Sequence, residues 1–80
     1  MTDSGVIAKR VDAQGLICPE PVQMLHAAIR QIAVGECVQL VATDPSTQRD
    51  VANFCRFLGH DLTCSEQEHK VYRYIIRKQS

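Results

Sequence analysis

The chain lacks most of the patterns that commit a small protein to a familiar chemistry. Its four cysteines, at 18, 37, 55 and 64, contain no C-x-x-C pair, which argues against a zinc site. His26, His60 and His69 are widely spaced, and none stands at ligand spacing from a cysteine or carboxylate. No metal is therefore expected. There is no glycine-rich phosphate loop and no Ser/His/Asp set. No apolar run approaches the ~20 residues that a membrane-spanning helix needs. Charge of one sign is also missing. Nine Lys and Arg balance nine Asp and Glu, so no global field draws the chain to nucleic acid or to an anionic membrane. Met1–Gly5 carry an acid and no signal-peptide pattern, and the expected location is the cytoplasm. An even cysteine count in a short chain signals disulfides only in a secreted setting. Cys37, Cys55 and Cys64 fall within apolar patterns and read as small buried hydrophobes.

Eighty residues are enough for one small domain. Residues 1–5 are expected to be disordered, and residues 6–80 to form a single domain. Val6 to Asp12 is rich in β-formers and reads as a first, edge strand. Val22, Leu25, Ile29 and Ile32 make one apolar helical face, with Gln23, Ala27, Arg30 and Gln31 turned away and Gly35 as the stop. Glu36 to Thr43 suits a central strand. Asp44-Pro45 is a capping residue followed by a helix-opening proline. The helix it opens, from about Ser46 to Leu58, has a stripe of Val51, Phe54, Cys55 and Leu58. Phe57 lies beside that stripe and is expected to be partly buried. His60–Ser65 and Val71–Lys78 read as strands joined by a hairpin loop over residues 66–70. Tyr72, Tyr74 and Ile76 face the core, with Arg73 and Arg77 opposite. The order βαβαββ with right-handed crossovers predicts an α/β (α+β) two-layer sandwich, two helices packed on one face of a four-stranded mixed sheet.

Chemistry concentrates in Gly15-Leu16-Ile17-Cys18-Pro19-Glu20-Pro21. Proline is tolerated in a first helical turn and almost nowhere deeper. Cys18 therefore reads as N-cap, with Pro19, Glu20 and Pro21 as the first three helical residues and Gly15 as the turn before them. A sulfur at the positive end of a helix loses its proton more readily, and Glu20 opposes that effect. Because the prolines lack amide hydrogens, the Glu20 N–H is the expected donor to the sulfur, and a modest net lowering of the thiol pKa follows. Such a thiol suits sulfur or disulfide exchange. A purely architectural cysteine remains the alternative, although serine, threonine or aspartate caps better. His26, about two turns along the same helix, is too far by spacing to be assigned as a base. Met24 lies near the polar side of the first helix, either as an ordinary exposed apolar residue or as a soft docking contact.

The segment Asp12-Ala13-Gln14-Gly15-Leu16-Ile17-Cys18-Pro19-Glu20-Pro21 resembles the signature of the TusA (SirA-like) sulfur carriers. The likeness continues through Asp44–Asp50, Phe54-Cys55 and Tyr72–Lys78, so it spans nearly all of the chain after residue 6. The resemblance implies the same βαβαββ sandwich and a persulfide on Cys18. That sulfur would come from a cysteine desulfurase and pass to a downstream relay protein, in the branch most resembled ending in 2-thiouridine at the tRNA wobble position. It implies a sulfurtransferase-type carrier and no stand-alone enzyme, with no cofactor of its own. No direct contact with nucleic acid is expected, and a small transient carrier is expected to be a monomer. Glu20, Met24, Arg30 and Phe57 are candidate docking residues. Sulfur trafficking in another pathway such as sulfur oxidation, a non-catalytic interaction module and a redox sensor using a second cysteine stay open as alternatives.

Overall fold

Alternation and helical period resolve into six elements in a computed structural model that describes residues 7–79. They are β1 (Ile7–Ala13), α1 (Glu20–Ile29), β2 (Cys37–Ala42), α2 (Thr47–Leu58), β3 (Asp61–Glu68) and β4 (Val71–Arg77). The sheet order is β1-β2-β4-β3. β1 and β2 run parallel, with Val11 opposite Leu40 and Ala13 opposite Ala42. β2 and β4 are antiparallel with Leu40 opposite Tyr74, and β4 pairs antiparallel with β3. This is the expected two-layer βαβαββ sandwich, and β1 is an edge strand. The stretch expected to be disordered, residues 1–5, lies outside the described residues.

The core is the seam between the helices and one face of the sheet. Leu25 of α1, Val51 of α2, Val38, Leu40 and Ala42 of β2, and Ile76 of β4 are all fully buried. Period two explains the strand contribution: Tyr72, Tyr74 and Ile76 go inward while Arg73, Ile75 and Arg77 alternate outward and are half-buried. Thr47 is the buried polar residue in this seam. Its hydroxyl donates to the Asp44 carbonyl at 2.7 Å and shares a hydrogen bond with the Tyr74 hydroxyl at 2.8 Å. Both polar groups are thus satisfied away from water.

Six boundary or burial expectations are corrected. α1 begins at Glu20 with Pro19 as its N-cap, so Cys18 sits one position outside the cap. The reason is a turn closed by the Glu20 N–H on the Ile17 carbonyl at 3.0 Å, which precedes the helix. α1 also ends at Ile29, because the Gln31 and Ile32 amides turn back tightly onto Ala28 and Ile29; Ile32 stays buried all the same. The β3–β4 hairpin is tighter than a five-residue loop. Glu66, Gln67 and Glu68 belong to β3, and the turn is His69-Lys70 with His69 at φ 57. Cys64, on edge strand β3, is half-buried rather than core. Finally, Phe57 is 90% exposed and Leu58 39%, since no described residue packs over the outer side of α2's last turns.

Candidate functional site

The motif hangs between two strand-to-helix junctions. β1 and β2 are adjacent, parallel and end in register at Ala13 and Ala42, so the loops that follow them leave the sheet side by side. In the first loop the Leu16 N–H bonds back to the Ala13 carbonyl at 3.2 Å, and Gly15 takes φ 82. That left-handed value is why glycine serves there. The two loops are then tied together twice. Gly15 N–H donates to Thr43 Oγ1 at 2.9 Å, and Cys18 N–H donates to Asp44 Oδ2 at 2.8 Å. Asp44 Oδ1 meanwhile accepts the Ser46 N–H at 3.0 Å, so one carboxylate organises both helix entries. The Cys18–Pro19 peptide bond is cis.

Cys18 is half-buried in this corner. Its thiol is held above the ordinary value, first by burial and next by donating a hydrogen bond to the Asp50 carboxylate. The Ser46 hydroxyl opposes this, and the negative charges of Asp50 and Asp44 reinforce it. The expected lowering is therefore overturned. The amide assigned to the sulfur, that of Glu20, is spent on Ile17, and the negative charge of two carboxylates from the second junction acts on the thiol instead. Those carboxylates stay below the usual range. The Cys18 amide is the main cause for Asp44, and the Cys18 thiol, followed by Arg49 at 3.1 Å, for Asp50.

Asp44, Ser46 and Asp50 are the site residues that sequence reasoning missed. The signal was available in the repeated helix-entry pattern, because two parallel neighbouring strands must deliver their following turns to the same end of a sheet. An open groove of about 530 Å³ between α1 and α2 adjoins the motif, lined by Pro19, Val22, Asp50, Phe54 and Phe57 among others. The structure thus brings Phe57 and the motif to one surface. Glu20 is exposed in the first turn of α1. Met24 is half-buried against the core and borders a different, shallow groove with Lys9 to Asp12 of β1. Arg30 caps the other end of α1, roughly 15 Å of helix away from Cys18, so it is not brought to the motif.

Cys55 and Cys64 are free thiols as well. Cys55 is buried, and that burial, with Asp61 adding, pushes its thiol up to about 11. Cys64 is raised by burial and then by Glu66. Among the described residues no group of three or more His, Cys, Asp or Glu side chains could hold a metal ion, and no helix is long and apolar enough to cross a membrane.

The family model described as Sulfurtransferase TusA matches residues 9–78. The chain belongs to the TusA family. It is 51% identical over 70 residues to the sulfur carrier protein TusA of Pseudomonas putida (strain W619), a match covering 88% of each chain. With the TusA of Pseudomonas aeruginosa (strain UCBPP-PA14) it shares 51% identity over 88% of this chain and 89% of that one. A crystal structure of a SirA-like protein from Desulfitobacterium hafniense has the same fold. Its TM-score is 0.78 over 90% of this chain and 99% of that one, at 18% identity. Within the TusA frame, the model match contains the whole corner formed by Gly15, Cys18, Asp44, Ser46 and Asp50.

Proposed function

We propose that this TusA-family chain carries sulfane sulfur as a persulfide on Cys18, taken from a cysteine desulfurase and relayed to an acceptor protein. One observation supports the reading above the rest: a half-buried cysteine whose amide is fixed to Asp44, next in the chain to Pro19, which lines an open groove. Loading is a sulfur exchange without net oxidation. Deprotonated Cys18 Sγ attacks the terminal sulfur of the donor's cysteine persulfide. A new S–S bond forms as the donor's S–S bond breaks, and the departing donor thiolate takes up the proton. In delivery the acceptor's thiolate attacks the terminal sulfur on Cys18, and Cys18 leaves. The carrier supplies the sulfur's position; the desulfurase supplies the chemistry that creates it. Phe57 and Glu20 form the docking surface beside the thiol, and Met24 offers a second contact in the separate groove against β1. Residues 6–80 act as one sulfur-carrier domain, a monomer in the cytoplasm.

The endpoint proposed for the relay is 2-thiouridine at the tRNA wobble position. Balanced charge supports a protein that serves this pathway without gripping tRNA itself. Incubation with a cysteine desulfurase and cysteine, followed by intact-mass measurement, is expected to add sulfur to the wild type and not to Cys18→Ser. No added sulfur on wild type, or equal labelling of the variant, refutes the carrier role. Failure of Cys18→Ser to restore thiolated tRNA in a deletion strain supports the endpoint; full restoration removes it.

A further inference from the structure

The groove between α1 and α2 is apolar in its lining and uneven in its charge. Val22 of α1 and Phe54 and Phe57 of α2 line it, and the Phe57 ring is 90% exposed. Its charged lining residues are Asp50 and Arg56. Asp50 lies at the α2 entry, the end tied to Cys18 through Asp44, and is already paired with Arg49 at 3.1 Å. Arg56 comes six residues later in the chain, about 9 Å further along the helix. Its Nη2 donates to Asn53 Oδ1 at 2.8 Å. Asn53 is neutral, so this bond steadies the guanidinium without cancelling its charge. Among the described residues no carboxylate pairs with Arg56. The unbalanced charge of the groove is therefore one cation, at the end away from Cys18.

We propose that this groove takes an extended segment of a sulfur-exchanging partner protein, with the partner's cysteine at Cys18, an apolar side chain over Val22, Phe54 and Phe57, and a carboxylate on Arg56. An extended chain advances about 3.3 Å per residue, so a span of about 9 Å sets the carboxylate about three residues from the cysteine. The apolar contact supplies most of the attachment, because it covers an aromatic ring otherwise left in water. Arg56 supplies direction. It draws the carboxylate to the far end of the groove, which leaves the segment's cysteine at the Cys18 end. A basic residue in the same place meets a like charge, so the groove also turns away segments of the wrong sign.

This inference deepens the carrier reading, on which it rests for its use, by giving the chemistry of the partner. The test uses short cysteine peptides activated as pyridyl disulfides, with leucine beside the cysteine and either glutamate or lysine about three residues from it. Cys18 Sγ attacks the peptide sulfur, a mixed disulfide forms and pyridine-2-thione leaves; peptide mass mapping separates Cys18 from Cys37, Cys55 and Cys64. In low salt, wild type is expected to react about three- to fivefold faster with the glutamate peptide, relative to the same ratio for free cysteine. Arg56→Glu is expected to invert that preference, which loosening of α2 would not do. Placing the glutamate directly beside the cysteine is expected to erase it. Equal rates with the two peptides, a preference that survives in Arg56→Glu, or one indifferent to the glutamate's position overturns the proposal. Rate constants that fall as protein concentration rises assign the groove to a second copy of this chain and overturn it too. No desulfurase enters this assay, so selectivity without persulfide loading sinks only the carrier reading, and loading without selectivity sinks only this inference.

Discussion

Replacing Thr47 by valine deletes one oxygen from a fully buried polar contact and keeps the side chain's shape. Thr47 is fully buried and Tyr74 is 1% exposed, so water cannot replace the lost partner. The Tyr74 hydroxyl would lose its bond at 2.8 Å, and the Asp44 carbonyl the one at 2.7 Å. A buried hydroxyl left without a partner costs about 1–3 kcal/mol. In a domain of this size each kcal/mol lowers the melting temperature by about 4–8 °C. Tyr74→Phe is milder, about 0.5–1.5 kcal/mol, because Thr47 keeps its bond to Asp44. Once both hydroxyls are gone nothing is left unsatisfied between them, so the double variant should fall short of the summed costs by about 1 kcal/mol. Urea unfolding followed by far-UV circular dichroism measures all three. A Thr47→Val cost within ~0.3 kcal/mol of zero, or strict additivity in the double variant, would refute the view that this pair ties α2 to β4.

Two further outcomes follow from burial and exposure. Cys55 has a raised folded pKa of about 11, against about 8.5 for a free thiol in the unfolded chain. Its contribution is thus fully present below the unfolded value and is lost as pH rises through the folded one. Urea midpoints should therefore fall more steeply between those two pH values in wild type than in Cys55→Ala; equal slopes would exclude Cys55 as a source of alkaline instability. Phe57→Ser should leave stability within about 0.5 kcal/mol, because the ring is 90% exposed. The same change should weaken capture of the sulfur donor about tenfold, the scale of an aromatic contact at an interface, and an unchanged concentration dependence of sulfur loading would remove Phe57 from the docking surface.

Most of the fold was legible because its signals are local and repeated. Leu25, Ile29 and Ile32 recur at helical spacing and are buried, and Tyr72, Tyr74 and Ile76 recur at strand spacing and are buried. β3 was cut short because it lies at the sheet edge with Ser65 to Glu68 all exposed, and an exposed edge leaves no alternation to read. The helix start was off by one residue for a different reason. Two prolines flanking Glu20 permit either frame, and only the turn from Glu20 to Ile17 decides between them. The direction of the thiol shift was missed because its causes are long-range. Asp44 and Asp50 are 26 and 32 residues from Cys18 in the chain and reach it only through the parallel pairing of β1 with β2.

Pro21 is fully buried, whereas Pro19 is exposed. The two rings of the motif therefore belong to different environments, one rooted in the interior and one facing solvent, with the thiol just beyond the outer one. A lever of this kind transmits shape. A cavity or an oversized side chain against the Pro21 ring would tilt the start of α1 and swing the sulfur relative to Asp44 and Asp50. Substitutions in the interior, remote from any partner, would then register as altered sulfur reactivity before they register as lost stability. Selection on sulfur delivery would in that way reach into the packing of the core.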